Sequence, residues 1–367
     1  MLKKHKYGIP VFMTALSIFN SCFAVNNIED IKPNGCKGVS LADAYSDING
    51  SNFNINIGFI LEQMRLTNTD FGYISNTQTG VYNSLTQDVS MLRPSFGLSW
   101  GITAGAGYYF EHDNWYGDIK FDWLSSKGSR NICAENYQIV PTKIWKKQLL
   151  LGQSTATQSN VDFFYSNGVK SNFKINYFEG EIGLNRATYV SKKLSVEPFF
   201  GIKTAFIYYA NKTEFFNDTT LYNSLSYKVS GEKKCDFYGV GPMFGVNSKW
   251  ALFEGCSLFC DNNVGLLFGE NDNHNNLFVD NVIQTSSKQE SHVAAPVIRI
   301  KIGFQHDKPI FDNTQNLTFR VALDTSHYWN QYQHTDVFNE TQNPTFHSVD
   351  TGTLSLIGLF ADFGWDF

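Results

Sequence analysis

The chain has 367 residues and a formal net charge of −5, and it is rich in Phe (32), Tyr (18) and Gly (29) while only 17% of its residues are charged. With Lys3, Lys4 and Lys6 set aside as leader residues, 26 basic residues face 34 acidic ones, which excludes nucleic acid as a partner because its binding proteins carry basic patches. Beyond the first 24 residues no run approaches 18 apolar residues, so no transmembrane helix is expected; the balance suits a barrel with an apolar outside and a polar inside.

Residues 1–24 read as a secretory signal. Lys3, Lys4 and Lys6 precede a short apolar run over 8–19, and Cys22-Phe23-Ala24 offers a small residue for cleavage after Ala24. A lipidated Cys22 is the poorer reading, given its Phe19-Asn20-Ser21 approach. Residues 25–51 are expected to form a periplasmic segment and 52–367 the barrel.

Ten strands follow from period-2 alternation. In 52–65, Phe53, Ile55, Ile57, Phe59 and Leu61 alternate with Asn54, Asn56, Gly58 and Glu62. In 97–110, Leu98, Trp100 and Ile102 alternate with Ser99, Gly101 and Thr103, and after a turn at 111–114, Ile119, Phe121 and Trp123 alternate with Asp118, Lys120 and Asp122. The hairpin recurs in 172–187 with 194–209, 235–249 with 255–270, and 293–304 with 317–329. In 173–184 the apolar set changes face, from Phe173, Ile175 and Tyr177 to Phe178, Ile182 and Leu184; either a β-bulge near Tyr177 or an aromatic-lined upper lumen reconciles them. The last strand, 354–367, carries Ile357, Leu359, Ala361, Phe363, Trp365 and Phe367 on one face, and is expected to pair with 52–65 and close the barrel.

Connections alternate: 111–114, 188–193, 250–254 and 305–316 are short, whereas 67–95, 126–171, 210–234, 271–292 and 330–352 are long and polar. Short periplasmic turns and long extracellular loops are the mark of an outer-membrane barrel. The expected fold is all-β, one closed antiparallel transmembrane barrel of ten to sixteen strands, an even number. Further hairpins could lie in 67–95 and 126–171, where 137–140 and 144–151 hint at strands.

Glu62, Asp118, Lys120, Asp122, Glu179, Glu181, Glu197, Lys203, Arg299, Lys301, Arg320 and Asp324 are expected to face the lumen. They either tune a polar pore or pair across a narrow interior and plug it. No cofactor or metal site is expected and the chain does not read as an enzyme: the histidines are scattered, and Ser326 and His327 face opposite sides of a strand. The cysteines after the leader, Cys36, Cys133, Cys235, Cys256 and Cys260, are odd in number, which leaves one free or paired between chains; Cys256 and Cys260 share a face but lie roughly 13 Å apart along a strand.

Asp236-Phe237-Tyr238-Gly239-Val240-Gly241-Pro242 with Gly245 and Trp250, Glu197-Pro198-Phe199-Phe200-Gly201, and the closing strand 358–367 resemble the major outer-membrane protein family of Legionella and of chlamydia-like amoebal symbionts. The resemblance implies a porin-type barrel in the bacterial outer membrane, and with it disulfide-linked neighbours or a homo-oligomer. The ending in Phe367 resembles the terminal signal of outer-membrane proteins, which implies recognition by the barrel assembly machinery besides outer-membrane lipid as partners. The expected function is passive diffusion of ions and small hydrophilic solutes. The rival is a non-conducting barrel that displays its loops for adhesion or host contact, with Tyr328, Trp329, Tyr332 and Phe338 as contact aromatics.

Overall fold

The computed structural model describes residues 53–75, 89–110, 115–133, 138–141, 166, 168–191, 193–216, 229–253, 255–279, 281–310, 315–340 and 343–367. The leader and the segment 25–51 lie outside these residues. Ten long strands are present: β1 (Phe53–Leu66), β2 (Leu98–Tyr109), β3 (Trp115–Cys133), β4 (Gly168–Arg186), β5 (Leu194–Phe216), β6 (Val229–Phe253), β7 (Cys256–Val279), β8 (Val282–Ile310), β9 (Gln315–Glu340) and β10 (Asn343–Asp366). Each pairs antiparallel with its sequence neighbours, and β1 pairs with β10 from Asn54↔Asp366 to Leu66↔Leu354. The result is a closed ten-stranded barrel of up-and-down topology, which removes every sheet edge and satisfies the backbone internally, as lipid demands.

Alternation sets the two faces. Ile57, Leu98, Ile119, Ile182, Phe200, Phe244, Phe268, Leu323 and Ile357 stand exposed on the outside at 50–69%, and together they form the lipid-facing band. Most of their strand neighbours point inward and are buried or half-buried. Along β4, Phe173, Ile175 and Tyr177 are buried on the inside while Phe178 and Ile182 are exposed on the outside. The β4 ladder with β3 runs unbroken from Trp115↔Arg186 to Cys133↔Gly168, so no bulge is needed. The change of apolar face is a change of lumen: polar below, aromatic above.

Several connections are shorter than the sequence suggests. The β7–β8 ladder continues to Val279↔Val282 and the β9–β10 ladder to Glu340↔Asn343, so 271–279, 282–292, 330–340 and 343–352 are sheet rather than loop. The strands flanking 126–171 and 210–234 likewise extend to Cys133, Gly168, Phe216 and Val229. The reason is polar alternation. Inward Asn271, Asn273 and Asn275 alternate with Asp272, His274 and Asn276, and a pattern polar on both faces is silent to hydropathy. On the opposite side β6 runs to Phe253, and the turn into β7 uses Gly255 at φ +69, where a Cβ would also meet the Asp307 carbonyl at 2.7 Å.

The two connections expected to hide wall strands instead form a small sheet. Gly72–Ser75 pairs with Val89–Leu92 and with Gln138–Pro141. The suggested strand at 137–140 thus belongs to this insert, while 144–151 lies outside the described residues.

Candidate functional site: the lumen

Phe71, Leu92 and Phe96, from or beside the small sheet, and Ile139 within it are at most 3% exposed. They share one apolar cluster with the inward wall residues Phe173, Ile175, Tyr177, Ile207, Tyr209, Phe237, Tyr328 and Leu356. Phe173 packs against Phe71 at 5.5 Å and Phe96 at 6.0 Å between ring centroids. The described parts of the connections after β1 and β3 therefore pack against the inner face of the wall and form an apolar tier there. Tyr328 and Tyr332, expected as surface contact aromatics, are wall residues buried to 0% and 3%; Trp329, one step along from Tyr328, faces out at 41%. The side chain of Phe338 lies outside the described residues.

Below the apolar tier lies a charged one. Arg299 on β8 reaches three strands at once: Nη1 to Asp122 Oδ2 at 2.5 Å and to Glu179 Oε1 at 2.6 Å, and Nη2 to Asp324 Oδ2 at 2.6 Å, with Nε donating to Asp324 Oδ1 at 3.1 Å. Lys203 on β5 bridges Glu179 at 3.2 Å and Glu181 at 2.8 Å and donates to Asn263 Oδ1 at 3.2 Å. Lys301 pairs with Asp324 at 3.5 Å and sits 4.0 Å from the Phe360 ring centroid. Glu62 on β1 is buried, with 3% of its surface exposed. Arg320 forms a fork–fork pair with Asp362, which fixes geometry as well as charge, and lies 3.9 Å from Asp261. Lys120 pairs with Asp118 at 2.7 Å.

Every lumen carboxylate and cation named from the sequence is thus on the inward face, and most of them meet in one network. Glu197 also points inward but stands nearer the turn end of β5, opposite Asn247. Asp261, Asn263 and Asp362 complete the tier and were missed as site residues. Asp362 alternates with Phe363, which is a readable sign, but the Arg299–Glu179 contact spans 120 positions and leaves no trace in sequence. The two tiers are joined by a hydroxyl pair: the Tyr177 and Tyr328 oxygens lie 2.7 Å apart, and Tyr177 donates to Glu179 Oε2 at 2.6 Å.

Between these side chains the charged tier leaves a cavity of about 40 Å³, room for a few waters at most. The named charges number eight carboxylates (Glu62, Asp118, Asp122, Glu179, Glu181, Asp261, Asp324, Asp362) against five cations. Ser326 and His327 are not brought together: Ser326 is buried inward, and His327 on the other face bonds Ser355 at 2.8 Å. Cys256 and His306, opposite each other across β7 and β8, approach to 3.3 Å, yet no group of three metal-ligating side chains occurs among the described residues. Cys133 is exposed, Cys235 is buried and donates to Asn271 Oδ1 at 2.8 Å, and Cys36 lies outside the described residues. Phe367 closes the seam with β1: it exchanges backbone hydrogen bonds with Phe53, and their rings stack at 6.3 Å.

A family model described as the Legionella pneumophila major outer membrane protein precursor matches residues 49–367. Among solved structures, the outer membrane protease OmpT from Escherichia coli is 9% identical, with 86% of this chain and 97% of that chain covered at a TM-score of 0.39. The Pseudomonas putida toluene transporter TodX is 8% identical, with 90% and 92% covered at 0.27. A Pseudomonas aeruginosa FadL homologue is 7% identical, with 89% and 92% covered at 0.28. No curated protein sequence matches the chain.

Proposed function

This chain belongs to the Legionella pneumophila major outer membrane protein family, and we propose from that premise that it is a surface-presenting barrel whose own lumen is sealed to hydrophilic solutes. The observation that carries the reading is the double closure, an apolar tier over a paired charged tier, in a barrel of only ten strands. About eight strands leave an interior that side chains fill, and 16–18 leave an aqueous channel. What the barrel offers outward are its hairpins. From Phe268 at the lipid band to Val279 at the tip, β7 rises roughly 37 Å along its own axis, and the tip of β8 carries Val282 and Ile283 exposed at 61% and 59%. An aliphatic tip held on a rigid two-stranded arm suits contact with another surface.

The second reading is the porin one, passive diffusion of ions and small hydrophilic solutes. The excess of carboxylates over cations in the charged tier supports it, since such a wall favours cations. It requires the apolar insert to leave the lumen. It also requires no enzymatic chemistry of this chain, in keeping with the scattered histidines. Liposome swelling separates the two. Vesicles carrying the protein should hold their size in arabinose, and swelling at a rate comparable to an open porin would establish the second reading instead.

A further inference from the structure

The outer face carries a feature that neither reading uses. Lys127 on β3, Lys174 on β4, Lys212 on β5 and Lys234 on β6 have the same parity on their strands as the lipid-exposed Phe121, Phe178, Phe206 and Tyr238. They therefore point outward, toward the long-hairpin end. Lys127 and Lys174 stand directly opposite each other across the ladder, a like-charge pairing that costs stability. Together the four line one shallow groove of about 580 Å³. Glu232 is the carboxylate within it, and it pairs with Lys212 at 3.1 Å; Asp236 and Glu214 lie at its edges. Lys174 packs over the Tyr208 ring at 5.8 Å.

Height identifies the occupant. On β5 the outward Phe200, Ile202, Phe206 and Tyr208 give way to the small Ala210 and then to Lys212, which lies four residues beyond Tyr208, roughly 13 Å along the strand and about 9 Å higher at the usual barrel tilt. That is headgroup level. The same four strands present Phe178, Phe206 and Tyr238 to acyl chains just below, so one amphiphile can touch both surfaces, whereas a soluble polyanion would use only the upper one. We infer that Lys127, Lys174, Lys212 and Lys234 form a docking surface for the phosphorylated headgroup of an outer-leaflet glycolipid.

The test uses the full folded chain in detergent micelles, with bis-phosphorylated lipid A, dephosphorylated lipid A, inorganic phosphate and heparin as probes. Bis-phosphorylated lipid A should bind in a salt-dependent manner and raise the midpoint of thermal unfolding. The variant with all four lysines changed to Gln should bind at least about tenfold more weakly, since each lysine near an anionic surface contributes measurably, and the all-Arg variant should bind as the wild type does. Heat-modified gel migration verifies that the variants are folded. Should the Gln variant fail to fold, the wild type alone decides, because the dephosphorylated lipid must then bind at least about tenfold more weakly. Equal binding of the two lipids, or undiminished binding by a folded Gln variant, overturns the inference. So does heparin or inorganic phosphate binding as tightly as lipid A, which would make the groove a general polyanion surface.

Discussion

Replacing Arg299 by Met tests the charged tier at its centre. Arg299 is 5% exposed and its guanidinium is shared by three carboxylates on three other strands. After the substitution Glu179 keeps Lys203 at 3.2 Å and Asp324 keeps Lys301 at 3.5 Å, whereas Asp122 loses its arginine and keeps no other cation within 4 Å among the described residues. Removing one partner of a buried ion pair costs about 3–5 kcal/mol, because a charge is left buried without compensation. With one orphan rather than three, the lower end of that range is expected. The second substitution Asp122→Asn should then recover about 1–3 kcal/mol, the penalty of an unsatisfied buried polar group. By contrast Arg93→Met, at a pair with Asp70 that is 69% and 21% exposed, should cost about 1 kcal/mol or less. Guanidinium unfolding in detergent, followed by tryptophan fluorescence, measures all four proteins. A loss at Arg299→Met below about 1 kcal/mol with no rescue by Asp122→Asn would refute the network as a stabilising device.

Other outcomes follow from the same architecture. Phe71→Ala should destabilise by about 3–5 kcal/mol, as a buried core aromatic does, although Phe71 belongs to a connection and not to the wall; a loss near zero would mean the insert is not seated in the barrel. Ile300→Arg should cost about 2–4 kcal/mol if it faces the bilayer midplane. Cysteines placed at Ile300 and Lys301 should label with lipid-soluble and water-soluble reagents respectively, and the reverse would mean a register slip by one. In the folded wild type a water-soluble maleimide should modify the exposed Cys133 at once and the buried Cys235 only after unfolding.

The barrel was legible in the sequence because its two faces differ in polarity where lipid touches them: Leu98, Trp100 and Ile102 against Ser99, Gly101 and Thr103 fix both strand and facing. The seam between β1 and β10 was legible for the same reason. Two things were not. Beyond the membrane both faces of a strand meet water or polar neighbours, so the ladders through Asn271–Asn275 carry no hydropathy signal. In the lumen, facing was readable for Glu179, Lys203 and Arg299, but their convergence depends on barrel diameter and stagger, which no local pattern encodes. The switch from Tyr177 to Phe178 was visible as an inconsistency. Its cause became clear only with the insert, since Phe173 and Tyr177 are apolar on the inner face because Phe71 and Phe96 pack against that tier.

Single-channel recording in a planar bilayer tests the sealed lumen most directly. The wild-type protein, shown folded by heat-modified migration, should insert without producing steady current steps in molar potassium chloride. A variant with Phe71, Leu92 and Phe96 changed to Ser and with Lys203 and Arg299 changed to Ala should give cation-preferring steps, because the dry outer tier and the cations that pair across the charged tier are then both gone while its carboxylates remain. Stable ohmic steps from the wild type, unchanged in that variant, would contradict the account.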